Sequence, residues 1–226
     1  MYEQLMSGSL LDYNQTIAKP LFESVTYPWE ALDGLKEFIL RLGETLPKDR
    51  FDRIEDDVWV AKTAKIFPSA YLNGPLIICD NAEIRHCAFI RGAAIVGENC
   101  VVGNSTELKG SILFNNVQVP HYNYVGDSIL GYKAHTGAGT ITSNLKSDKS
   151  MVTVAIDGEK LETNRKKLGA VIGDNTEVGC NSVLNPGTVI GRNSMIYPLS
   201  MVRGFVPENS IYKKQGEVCQ KYRNII

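Results

Sequence analysis

The chain has 226 residues, with 24 Lys+Arg against 25 Asp+Glu and a net charge of -1. That length suits one domain of good size, or one domain with an appendage, whose core needs no disulfide or metal. The balanced charge argues against nucleic acid or a membrane surface as partner, since either asks for a basic excess.

No run of about 18 apolar residues occurs, so no membrane span is expected. The start, MYEQLMSGSLLDYNQ, lacks the basic and apolar regions of a signal peptide, which gives a cytoplasmic expectation. Cys79, Cys87, Cys100, Cys180 and Cys219 are odd in number and form no C-x-x-C, so they read as small buried thiols rather than a zinc site or disulfide framework.

In chain order, the first expected element is a helix over 28–44, opened by Pro28 and carrying Trp29, Leu32, Leu35, Ile39 and Leu42 on one face. It would pack as part of an N-terminal helical cap and linker over 1–53. From there a six-residue period takes over. Ile54, Val60, Ile66, Leu72, Ile78, Ile84, Ile90, Val96, Val102 and Leu108 are all aliphatic. Two positions before them the residue is usually small, as at Ala64, Ala82, Ala94, Cys100 and Thr106. The pattern returns in a shifted phase at Leu130 and Thr136, then at Ile172, Val178, Leu184, Ile190, Ile196 and Val202, with Thr or Ser companions.

A period of six is neither helical nor a simple strand alternation. It fits a prism of short strands with one aliphatic anchor per face pointing inward, three faces making a coil of about 18 residues. Residues 54–206 are assigned to this prism. Residues 145–168 interrupt it, with Asp157-Gly158 marking a hairpin that projects from the wall and ends in Arg165-Lys166-Lys167. A short helix or tail over 207–226 closes the chain.

Three constellations carry chemistry. Arg91 and Lys109 each follow an anchor and lie 18 residues apart, so they stack on adjacent coils about 4.8 Å apart. Either an anion relieves their repulsion or the two side chains splay into water. His121-Tyr122-Asn123-Tyr124-Val125-Gly126-Asp127 lies where the repeat slips phase. A histidine there is either a general base or a structural residue. The small residues of Gly137-Ala138-Gly139-Thr140-Ile141-Thr142-Ser143-Asn144 would let a ligand approach the backbone, though a plain corner looks the same.

The period itself resembles that of hexapeptide-repeat proteins, which implies an all-β, single-stranded left-handed parallel β-helix. The hand comes from this resemblance and runs against the usual crossover rule. The run from Arg91 to Asn144, with its H-x-x-Y-x-G-D and G-A-G-T-x-T-x-N elements, resembles the acetyltransferase half of bifunctional enzymes. Those enzymes carry glucosamine-1-phosphate N-acetyltransferase and N-acetylglucosamine-1-phosphate uridylyltransferase activities. The insert ending in RKKLGAVIGDN is similar to archaeal-type members.

The resemblance implies acetyl-CoA as co-substrate, no metal, a phosphorylated amino sugar as acceptor and a homotrimer with sites between subunits. It makes Arg91 and Lys109 sugar-phosphate ligands, His121 the base, Tyr124 an acceptor-site residue and Asn144 an active-site residue near the acetyl group. Ala138 becomes a backbone contact to acetyl-CoA, and Cys180 stands where bacterial members have a serine at the cofactor. His135 replaces an acceptor-binding Asn, Leu145 replaces an aromatic residue, and the next acceptor-binding Lys has no direct counterpart. About 53 residues precede the repeat, too few for a uridylyltransferase domain, so that activity is not expected.

Two rival readings follow. One is a non-catalytic sugar-phosphate-binding or assembly protein, motivated by those departures. The other is a γ-class carbonic anhydrase, disfavoured because His86, His121 and His135 lack that family's spacing for zinc.

Overall fold

The computed structural model describes residues 2–221. From Val58 the chain winds through three faces in turn, named A, B and C here. Its first passage runs Val58–Ala61 on face A, Lys65–Ile66 on face B and Tyr71–Asn73 on face C. Successive passages stack into parallel sheets of nine, nine and seven strands, counting an antiparallel hairpin strand at one end of face A and of face B. This is the expected parallel β-helix. No helix among the described residues is long and apolar enough to cross a membrane.

The anchors point inward and are fully buried from Ile78 to Leu108 and again at Ile172, Leu184 and Ile190. Their small companions share the interior. Several of the hydroxylic ones also donate to a carbonyl of the coil above, as Thr106 does to Val119 at 3.0 Å and Ser194 to Pro207 at 2.8 Å. Ile54 is not an anchor. It lies on Phe51–Glu55, a strand antiparallel to the first coil strand, and is 50% exposed. The phase shift resolves into one-residue shortenings of the C-to-A corner, between Leu108 and Leu113 and between Val125 and Leu130.

Face A differs from the others in its outward residues. Trp59, Ile77, Ile95, Ile112, Ile129, Val171 and Val189 lie in one register and all are buried. Burying such side chains is worth about 1.5–3 kcal/mol each, and the N-terminal segment does so together with the insert, which covers the upper strands. The N-terminal segment therefore runs along face A rather than capping an end. The Gln15 carbonyl accepts from Asn115 N–H, the Leu10 carbonyl from Asp174 N–H, and the Asp174 carboxylate accepts Asp12 N–H at 2.8 Å.

The expected helix over 28–44 divides at Asp33-Gly34 into a 3-10 turn, Pro28–Leu32, and an α-helix, Leu35–Thr45. The Glu30 carboxylate caps the first piece by accepting Thr26 and Tyr27 N–H. In the second, Gly43 has no side chain because the Trp59 ring lies where a Cβ would be.

The insert forms the expected hairpin, Val152–Ile156 with Glu159–Arg165. It does not stand free of the prism. Val152, Val154 and Ile156 are buried against the upper strands of face A, because alternate residues of the hairpin are apolar. The C-terminal segment is a hairpin rather than a helix, Ser210–Lys214 with Glu217–Gln220, which closes face B. Residues 222–226 of the expected tail lie outside the described residues.

Candidate active site

The turn from face B to face C builds one part of the site. At this corner Cys87, Ser105, Tyr122, Gly139, Asn181 and Leu199 all have positive φ. Each of the last five donates its N–H to the residue before the equivalent position one coil below. Ser105 thus bonds to His86, Tyr122 to Asn104, Gly139 to His121, Asn181 to Ala138 and Leu199 to Cys180, at 2.9–3.2 Å for the first two and 3.0, 2.8 and 2.9 Å for the rest. His121, Ala138 and Cys180, chosen separately from the sequence, therefore stand one above another on three consecutive coils.

Asn123 fixes the histidine in this column and was missed in the sequence. It is buried, accepts His121 N–H at 3.1 Å and donates to the Gly137 carbonyl at 2.8 Å. An Asn between two tyrosines gives no periodic signal. Gly103 lies under Pro120, whose carbonyl would collide with any Cβ there. The chain can therefore enter His121 only over a glycine.

The second part lies on face C and its corner with face A. Leu108 pairs with Ile90, which sets Lys109 directly above Arg91 as the spacing required. The compensation comes from the protein. Arg91 Nε donates to Glu107 at 2.6 Å, and Lys109 Nζ lies 3.3 Å from Asp127 Oδ2. Glu107 first, and then the Tyr124 phenol, hold the Arg91 guanidinium above its ordinary pKa. Two like charges on adjacent coils thus do not by themselves demand a bound anion here.

Asn144 joins this network through Nδ2, which donates to Tyr124 Oη at 3.2 Å and to the Asp127 carboxylate. The Tyr124 ring folds along its strand over Gly126, where a Cβ would meet the phenol oxygen at 2.5 Å. The Y-x-G-D spacing therefore has a packing reason: the glycine seats the ring and the aspartate pairs with the lysine one coil below.

Arg91, Lys109 and Asp127 line a cavity of about 480 Å³ with Arg165, Asp33 and Lys36. Arg165 comes from the insert and is paired with Asp33 of the N-terminal segment. The insert thus returns a cation to the groove of its own chain. The basic RKK run was its signal in the sequence, without a location.

His135 does not join this network. It lies on face B, paired in register with Gln118 and Glu177, and its Nδ1 is 2.7 Å from the Glu177 carboxylate. It instead shares a shallow cavity of about 640 Å³ with Gly137, Cys180 and Tyr197. Leu145 is half-exposed beyond Asn144. Only Cys79 and Cys100 are buried thiols, and burial pushes the Cys79 thiol up to about 12. Cys87 and Cys180 are exposed, because the B–C corner faces water. Among the described residues no group of three or more His, Cys, Asp or Glu is placed to hold a metal ion.

Residues 72–168 match the family model described as the GMPPB C-terminal domain, and residues 169–204 match the bacterial transferase hexapeptide (six repeats) model. The chain belongs to the hexapeptide-repeat family. It is 35% identical to a bifunctional protein GlmU of Methanococcus maripaludis, over 91% of this chain and 51% of the relative. It is 34% identical to a bifunctional sugar-1-phosphate nucleotidylyltransferase/acetyltransferase of Sulfurisphaera tokodaii, over 71% of this chain and 40% of the relative. The chain thus spans about half the length, or less, of these curated relatives. A solved hexapeptide transferase family protein of Anaplasma phagocytophilum aligns with TM-score 0.40 and 16% identity, over 74% of this chain and 81% of that one.

Proposed function

We propose that this chain is an acyltransferase that moves the acetyl group of acetyl-CoA to the amine of a phosphorylated amino sugar such as glucosamine-1-phosphate. The observation that carries this reading is the column His121–Ala138–Cys180 beside the cation network of Arg91 and Lys109. The name of the Sulfurisphaera relative, a sugar-1-phosphate nucleotidylyltransferase/acetyltransferase, supports the acetyl group and the sugar-phosphate class.

In this reading the acceptor phosphate enters the cavity at Arg91 and Lys109, sharing those cations with Glu107 and Asp127. Tyr124 packs on the sugar ring. His121 accepts the proton of the amine as its nitrogen attacks the thioester carbonyl. The C–N bond forms, the C–S bond breaks, and the proton passes on to the departing thiolate. Asn144 holds Tyr124 and Asp127 in place beside the acetyl group, and nearby backbone N–H groups stabilise the oxyanion. Acetyl-CoA lies along the B–C corner against the Ala138 backbone, with Cys180 one coil above as a weak hydrogen-bond partner. His135, held by Glu177, borders this donor groove rather than the acceptor cavity. Fixing both reactants on one rigid wall supplies much of the acceleration.

The protein acts in the cytoplasm as a homotrimer, with the exposed apolar residues Ile141, Leu199 and Met201 of the upper face C and its B–C corner against a neighbouring copy. The test is thiol release from acetyl-CoA with glucosamine-1-phosphate as acceptor. Turnover that His121→Ala abolishes supports the reading. Wild-type turnover by His121→Ala removes the assigned base. Phosphosugar binding without thiol release from any acceptor makes the chain a binding protein instead.

A further inference from the structure

The proposed mechanism uses only the middle of face C. The outward column of that face reads Tyr71, Phe89, Glu107, Tyr124, Ile141 from the lowest coil upward, each residue in register with the next. Beside it run Asn73, Arg91 and Lys109. From the strand of Ile141, next to Asn144, down to that of Tyr71 is four strand spacings, about 19 Å. A sugar 1-phosphate is one ring and one phosphate long. Placed with its amine by His121 and its phosphate at Arg91 and Lys109, it leaves the outward rings of the two lowest strands, Tyr71 and Phe89, without a role.

Those strands carry aromatic rings in water. Tyr71 is 59% exposed and Phe89 39%, with ring centroids 5.4 Å apart. The Arg91 guanidinium lies over the Phe89 ring, 5.9 Å from its centre. The equivalent outward positions of face B on the same coils are Lys65 and Glu83, and on face A the outward apolar residues are covered by the chain itself. Exposed rings are therefore not a general consequence of the coil. A flat, polarizable ligand explains them, and its neighbours give its chemistry. Two cations on successive coils suit two linked phosphates, the half-buried Glu107 carboxylate directly above Phe89 suits the hydroxyls of a pentose, and the Asn73 amide suits the edge of a base.

We infer that the acceptor is a nucleoside-diphosphate amino sugar, whose base stacks on Tyr71 and Phe89 while Arg91 and Lys109 hold its diphosphate. This rests on the acyl transfer proposed above, with the same bonds made and broken and the diphosphate linkage left intact.

The experiment compares UDP-, dTDP- and GDP-glucosamine with glucosamine-1-phosphate as acceptors, in the full chain and in Tyr71→Ala and Phe89→Ala. Stacking on an aromatic ring is worth enough to favour one nucleotide acceptor by about tenfold in kcat/KM, and each variant should lower that preference by a similar factor. The ratio of the two acceptors cancels a general loss of folded protein. Equal or better use of glucosamine-1-phosphate overturns the inference, as does an unchanged ratio in both variants or an equal loss for both acceptors with altered assembly. Calorimetric titration with UDP, dTDP and GDP separates this inference from the transfer reading. If no acceptor is acetylated but a nucleotide binds and Tyr71→Ala weakens it, transfer fails and the site stands. If none binds in a Tyr71- or Phe89-dependent way, the inference falls whatever the turnover.

Discussion

The A–B and B–C corners make the same turn with different residues. At the A–B corner the left-handed residues are Asn81, Asn99, Asn116, Lys133, Asn175, Asn193 and Asn209, asparagine at six of these seven positions. Asparagine enters this conformation at low cost, because its short polar side chain can bond locally. At the B–C corner the same φ is adopted by Cys87, Ser105, Tyr122, Gly139, Asn181 and Leu199. A left-handed non-glycine residue costs about 1–2 kcal/mol, and bulky exposed examples such as Leu199, 80% exposed, recover nothing from packing in the single chain. One corner is chosen for its backbone. The other accepts strain at Cys87, Ser105, Tyr122 and Leu199, beside the line that carries His121, Ala138 and Cys180.

Breaking the contrast at its strongest point means removing the base. His121→Ala should lower kcat by about 100-fold or more, whereas Asn99→Ala at the other corner should leave turnover within twofold. Lys109→Ala should raise the acceptor KM by about tenfold, through loss of the cation and through Asp127 left with Asn144 alone. Kinetics with acetyl-CoA saturating would show it.

The strain itself gives smaller effects of opposite sign. Cys87→Asn should stabilise the fold by about 1 kcal/mol and Asn99→Ala should destabilise it by about as much, read as midpoint shifts in urea. Thr136 occupies an anchor position beneath the donor groove, and its hydroxyl is buried without a partner. Thr136→Val should therefore add about 1 kcal/mol.

The smallest effect lies on face A, away from both corners. Burial holds the Asp174 carboxyl above its ordinary range, against Tyr132 N–H, Arg192 and Asp12 N–H, which lower it. The folded chain then holds this proton more tightly than the unfolded one. Its contribution is present below the ordinary carboxylate value and is lost as pH rises through the raised value. Asp174→Asn should remove that slope from urea midpoints measured across the acid range.

The prism was legible because its signal is periodic. Each coil repeats an inward aliphatic anchor and a small companion, and the asparagines of the A–B corner repeat with them, although the sequence reading passed them over. What it misplaced is local. Ile54 fits the period but lies on a hairpin strand, since hydrophobic spacing does not report strand direction. The helix over 28–44 fits an amphipathic pattern, yet Asp33-Gly34 divides it. The apolar outward residues of face A were present as Trp59, Ile77 and Ile95, directly before anchors, and would have revealed that the N-terminal segment covers this face.

The site divides the same way. The stacking of Arg91 and Lys109 follows from an 18-residue spacing. Their neutralisation by Glu107 and Asp127 does not, because it depends on side-chain direction across coils. The resemblance assigns His135 to the acceptor; within one chain the intervening turn puts it on face B, away from Arg91 and Lys109.

Titration of acetyl-CoA into the protein tests the central claim most directly, that the B–C corner is the working edge of the prism. Saturable binding is expected in the wild type and in Asn99→Ala, with loss in Ala138→Trp, whose ring would fill the column between His121 and Cys180. Binding that Ala138→Trp leaves intact, or no binding to the wild type at all, would contradict it.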